Sequence, residues 1–169
     1  MFDFEELDDT TRQYMLSEFR VEESSGNPYR SDLLTQSGLE AFPGLMEEAI
    51  RSGNEEPLAR ALSTPAYWHP FQIRFRRGKP YQAKVDPVKA AERLAFTEFN
   101  TWYVRGLAKR LLEEGIGECQ VYRAAPARQP RSECRQHKGA IYDVQLVYDG
   151  HRARYWPPPG NREALSIQQ

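Results

Sequence analysis

The chain has 169 residues, of which 40% are hydrophobic, 28% charged and 12% aromatic; that is enough apolar material for one ordinary core and too much for a disordered chain. The net charge of −1 conceals a division: residues 1–60 carry 14 acidic and 5 basic side chains, residues 61–169 carry 10 and 18, which points to a partner of one sign or to pairing of the two halves, within a chain or between copies. No apolar run approaches the ~18 residues of a membrane span, the amino terminus is acidic where a signal peptide would be basic and then apolar, and two cysteines are too few for a disulfide scaffold, so neither a membrane nor a secreted protein is expected.

Asp8, Asp9 or Thr10 can cap a first helix that presents Tyr14, Met15, Leu16 and Phe19 and fades by Glu23. The cluster Ser24-Ser25-Gly26-Asn27-Pro28 then breaks the chain, so residues 1–30 read as an acidic arm looped to a single domain at 31–160. Tyr14 and Phe19 on that arm are expected to dock on another molecule. Leu39, Phe42, Leu45, Met46 and Ile50 suit a helix entered through Pro43 and ended by Ser52-Gly53, and a shorter helix follows from Asn54 to Leu62.

From Pro70 the period changes to two. Phe71, Ile73 and Phe75 alternate with Gln72, Arg74 and Arg76, and Tyr81, Ala83 and Val85 return beyond Gly78. Centring the turn on Gly78 pairs Phe75 with Tyr81, Ile73 with Ala83 and Phe71 with Val85, and leaves Arg76-Arg77-Gly78-Lys79 as a basic tip.

Asp86 as cap and Pro87 as first residue open the strongest helix, which ends at Gly115 after Glu113 and Glu114. Val88, Ala91, Ala95, Phe99, Trp102 and Gly106 form its stripe, with Gly106 allowing another backbone to come close. Glu118–Ala124 reads as a strand and residues 125–138 as a loop. Tyr142, Val144, Leu146 and Tyr148 alternate, Asp149-Gly150 is a type I′ turn signal, and His151 to Trp156 returns as a second hairpin, before a polar tail at 161–169.

These elements predict an α+β fold. A mostly antiparallel sheet, made of two hairpins and the strand after Gly115, packs on the long central helix, with further helices at the N-terminal end. The expected core is Phe71, Ile73, Phe75, Ala95, Phe99, Trp102, Leu107, Leu111, Val121, Val144 and Leu146.

Common catalytic signatures are absent: no phosphate-binding glycine loop, G-x-S-x-G, H-E-x-x-H or C-x-x-C occurs. Cys119, Cys134, His137 and His151 are the residues from which a zinc site could be built, but only Cys134-x-x-His137 is a close pair. Asp143 with Glu118 or Glu98 is the corresponding Mg²⁺ set for a nuclease, and it lacks a neighbouring lysine. Cys134 lies among Arg131, Arg135 and Lys138 without a positioned base. No catalytic residue, metal or cofactor is therefore assigned.

The reading is a non-enzymatic structural or adaptor protein of a larger, virion-like or ring-like assembly. It would be cytoplasmic or part of a particle built there. Other subunits, like or unlike, would be joined through Tyr14 and Phe19 of the arm and through Arg74, Arg76, Arg77, Lys79, Arg152, Arg154 and Trp156 of the hairpins. The alternative is binding or metal-dependent processing of nucleic acid by the same hairpins.

Overall fold

The computed structural model describes residues 3–122, 124 and 137–165. Its architecture is α+β, with α-helices and two small antiparallel sheets. The chain divides into two compact units, one spanning Arg30–Phe99 and the other made of Met1–Tyr29 with Asn100–Gln169.

In the unit Arg30–Phe99, helix α2 (Gln36–Ser52) starts at Thr35, whose side chain accepts from Gly38 N. Helix α3 (Glu55–Leu62) starts at Asn54, whose side chain accepts from Glu56 N. Each cap satisfies a backbone donor that the first helical turn leaves unpaired. Phe42, Met46, Ala49 and Ile50 on α2 and Leu58, Ala59 and Leu62 on α3 are buried at helical spacing and build this core. The expected start at Pro43 is corrected, because α2 begins earlier and carries Pro43 inside it. The missing proline N–H costs one hydrogen bond, which burial of Phe42 and Met46 on either side offsets.

A 3₁₀ turn (Pro65–Tyr67) leads to Trp68, which is buried, donates from Nε1 to Leu62 O at 2.7 Å and bridges to Leu34. Strands β1 (Phe71–Arg76) and β2 (Lys79–Lys84) follow as an antiparallel hairpin.

Helix α4 (Pro87–Glu113) begins in this unit and ends in the other. Its start is as the sequence predicts: Asp86 Oδ1 accepts from Val88 N at 3.1 Å and from Lys89 N at 3.3 Å. At its end Gly115 takes φ +77°, and bonds from Gly115 N to Leu112 O and from Ile116 N to Leu111 O close a glycine cap. Ala91, Leu94, Ala95 and Phe99 are buried before the division, Trp102, Tyr103 and Ala108 after it.

The second unit opens with helix α1 (Asp9–Ser24), capped by the Asp8 side chain on Thr11 N. Its Met15 and Phe19 are fully buried, and Phe19 meets Trp102 edge-on at 5.1 Å between ring centroids. A β-carbon at Gly106 would lie 2.7 Å from Met15 N, so α1 and α4 cross where only glycine fits. The expectation of a detached acidic arm is therefore corrected: α1 belongs to the core of this unit.

Strands β3 (Glu118–Gln120) and β4 (Ile141–Asp143) pair antiparallel, and helix α5 (Val144–Tyr155) follows without a break. The second hairpin is thus corrected to one short strand and a helix. Val144, Val147 and His151 form the buried stripe of α5, and the Asp143 side chain caps it on Leu146 N. Leu146, expected in the core, is 53% exposed. Gly150 makes no turn. A β-carbon there would lie 2.6 Å from Leu165 O, so the glycine permits the C-terminal segment to lie against α5. That segment was expected to be a free polar tail, yet Leu165 joins the cluster of Val144, Val147 and Ala108, and Asn161 N donates to Ala153 O at 2.8 Å. Most of the loop expected at 125–138 lies outside the described residues, and so does Cys134.

Candidate functional site

The β1–β2 hairpin is built by a two-residue turn. Arg77 and Gly78 take φ of 51° and 77°, the double left-handed conformation of a type I′ turn, whose twist matches the strands it joins. Arg76 then faces Lys79, Phe75 faces Pro80, Ile73 faces Gln82 and Phe71 faces Lys84. The register centred on Gly78 alone is corrected by one residue, and such a slip exchanges every cross-strand partner. Phe71, Ile73 and Phe75 lie opposite proline and polar residues instead of meeting Val85, Ala83 and Tyr81.

Nothing among the described residues covers this row. Phe71, Ile73 and Phe75 are 50%, 63% and 72% exposed, so three residues expected in the core form an outward apolar face. On the opposite face Tyr81, 44% exposed, stands across from Arg74. Residues 70–85 include Arg74, Arg76, Arg77, Lys79 and Lys84 and contain no Asp or Glu. All five cationic side chains are exposed. An apolar row this open on a strongly cationic element is the feature expected of a docking surface.

The hairpin brings Arg74, Arg76, Arg77 and Lys79 together, as the sequence suggests. The other expected contact residues are committed within the second unit. Phe19 is buried, and half-buried Tyr14 donates to Glu113 Oε2 at 2.8 Å. Arg152 stacks 5.1 Å over the Trp156 ring, Arg154 donates to the Arg162 and Ala164 carbonyls, and Trp156 Nε1 donates to Asn27 O at 3.2 Å. Phe71, Ile73 and Phe75 were expected in the core instead of on the surface, and Lys84 was not among the expected contact residues. The absence of any acid between Pro70 and Val85 was the available signal, since a covered strand seldom needs five cations and no counter-charge.

The second unit holds a different polar cluster, and it is closed. Arg105 donates from Nη1 to Glu22 Oε2 at 2.7 Å and from Nη2 to Glu18 Oε2 at 3.1 Å, with all three side chains at most 3% exposed. Lys109 Nζ lies 3.3 Å from Glu18 Oε1, which also accepts from Tyr148 Oη at 2.9 Å. The Arg105 guanidinium sits 4.4 Å from the Trp102 ring centre. Burial alone would raise the Glu18 pKa, but Arg105, Tyr148 and Lys109 together hold it below the usual carboxylate value. His151, fully buried, is pushed down to about 3 by burial and by the charges of Arg105 and Arg154. These buried charges are held by one another, so removal of one partner would leave an uncompensated charge in the interior.

Of the residues weighed for metals, Cys134 lies outside the described residues. No group of three or more His, Cys, Asp and Glu side chains among the described residues is arranged to hold an ion. Glu118 and Asp143 are cross-strand partners, yet the Asp143 carboxylate is engaged as the cap of α5. The Cys119 thiol is pushed up by burial and by Asp143, which disfavours the nucleophilic thiolate. Among the described residues no helix is long and apolar enough to cross a membrane. Comparison with protein-family models, curated proteins and solved structures found no match.

Proposed function

We propose that the chain is a non-enzymatic adaptor, a cytoplasmic component of a larger protein assembly that engages an acidic partner through the β1–β2 hairpin. The observation that carries this is the exposed row Phe71, Ile73 and Phe75 on an element with five cations and no acid. The apolar row supplies contact area, and the cations steer a partner of opposite charge and select against like-charged ones. The acidic residues Asp8, Glu18 and Glu22 are already paired with Arg110, Lys109 and Arg105 of the same chain, which leaves the cationic hairpin as the better-supported joining surface.

A photo-cross-linking residue at Ile73 in the full chain, expressed in its native cell, tests the reading against the same residue at Val88, which is 53% exposed on α4. A discrete protein adduct at 73 and none at 88 is expected. Equal yields at both positions would contradict it. Single-stranded nucleic acid is the competing partner, because aromatic faces interleaved with cations also suit bases and phosphates. An adduct at 73 that nuclease removes and protease does not would establish that reading instead.

A further inference from the structure

The hairpin offers its two edges unequally. Val85 N donates to Pro70 O at 2.9 Å, and hydrogen-bonded and non-bonded pairs alternate along an antiparallel ladder. From that bond the backbone groups of Gln72, Arg74 and Arg76 point to β2, and those of Phe71, Ile73 and Phe75 point to the outer edge. The same alternation turns Pro80, Gln82 and Lys84 to the outer edge of β2. Pro80 has no N–H to offer, so β2 is a guarded edge and β1 is an open one. Just upstream of β1 the chain already pairs in this fashion with itself, with Leu34 bridged to Trp68 and His69 N donating to Leu33 O at 2.9 Å. The sheet holding β1 has two strands, and no described segment continues along Phe71–Phe75.

We infer that β1 adds an extended acidic peptide of the partner as a third strand, hydrogen-bonded to the backbone of Phe71, Ile73 and Phe75. This rests on the proposed docking role of the hairpin and specifies how the partner is held. Strand addition supplies affinity through the backbone, and alternate side chains supply selectivity. Side chains at every second position of the added strand would lie beside Phe71, Ile73 and Phe75, and those between would lie beside Arg74 and Arg76. The fitting sequence therefore alternates apolar residues with Asp or Glu. A second copy of β1 fits poorly, because pairing two cationic strands sets arginines near arginines.

The test titrates the full chain with a fluorescent eight-residue peptide of alternating Val and Glu, and with three controls: the same peptide N-methylated along its backbone, a Val-Lys peptide, and oligo-dT. Binding of the Val-Glu peptide is expected to be at least about tenfold tighter than of any control. It should slow hydrogen exchange at the Phe71, Ile73 and Phe75 amides, and the double variant Arg74→Glu, Arg76→Glu should abolish it. Equal binding of the N-methylated peptide, or binding without amide protection, overturns strand addition and leaves a docking role through side chains intact. Oligo-dT binding more tightly than Val-Glu overturns the peptide class. Failure of every probe to bind, together with an absent adduct at Ile73, would remove the docking role as well.

Discussion

Arg105 illustrates how a single residue organises the second unit. It is the largest fully buried side chain among the described residues, and its two carboxylate partners are spaced four residues apart on one face of α1. Replacing it with methionine would roughly keep the volume but remove the Glu22 cation and leave Glu18 with Lys109 alone. Loss of about 3–5 kcal/mol is expected, measured by urea unfolding. Gly106→Ala should also destabilise by a few kcal/mol, because the clash is with the Met15 backbone, which cannot rotate away. Two titrations separate on the pH axis. His151 has a folded pKa of about 3 against an ordinary 6.5, so its contribution is full above 6.5 and declines as pH falls from 6.5 toward 3. The Glu18 pKa is also depressed, so its contribution is present above 4.5 and fades only below it. Stability measured against pH should therefore fall first with the slope of one proton. His151→Gln should flatten the decline above pH 4.5, whereas Glu18→Gln should alter only the part below.

At the scale of elements, removing α1 distinguishes a core helix from an arm. Burial of Met15 and Phe19 contributes about 1.5–3 kcal/mol each, so deletion of residues 1–28 should lower the stability of the unit by several kcal/mol in urea unfolding. What the sequence made legible follows the same logic of local signals. Helices α1, α3 and α4 were readable because caps at Asp8, Asn54 and Asp86 sit directly before apolar residues at helical spacing. Helix α5 was not, because Val144, Leu146 and Tyr148 alternate as a strand would while Val144, Val147 and His151 satisfy a helix, and over so short a run both periods fit. The Asp149-Gly150 pair is in sequence terms a hairpin signal, although Gly150 serves a close approach by Leu165 that no local pattern reveals. The three cations at the β1–β2 tip, Arg76, Arg77 and Lys79, were legible as a cluster. Exposure of Phe71, Ile73 and Phe75 was not, because alternation shows that a strand has an apolar face and says nothing of whether another layer covers it.

Across the whole molecule, the opposed charges of the two ends of the sequence are partly spent inside it. Asp8, Glu18 and Glu22 pair with Arg110, Lys109 and Arg105, whereas Arg74, Arg76, Arg77, Lys79 and Lys84 face solvent beside an apolar row. If the hairpin docks a partner as proposed, folding and docking rest on different parts of the chain and should respond independently to mutation. The triple variant Phe71→Ser, Ile73→Ser, Phe75→Ser removes the exposed row while touching no buried side chain. The most direct measurement is the affinity of the partner trapped at Ile73 for wild type and for this variant, with urea unfolding of both proteins in the same buffer. The account expects binding to weaken by about a hundredfold or more while stability falls by no more than about 1–2 kcal/mol. Unweakened binding, or a stability loss of several kcal/mol showing that the row belongs to the chain's own core, would contradict it.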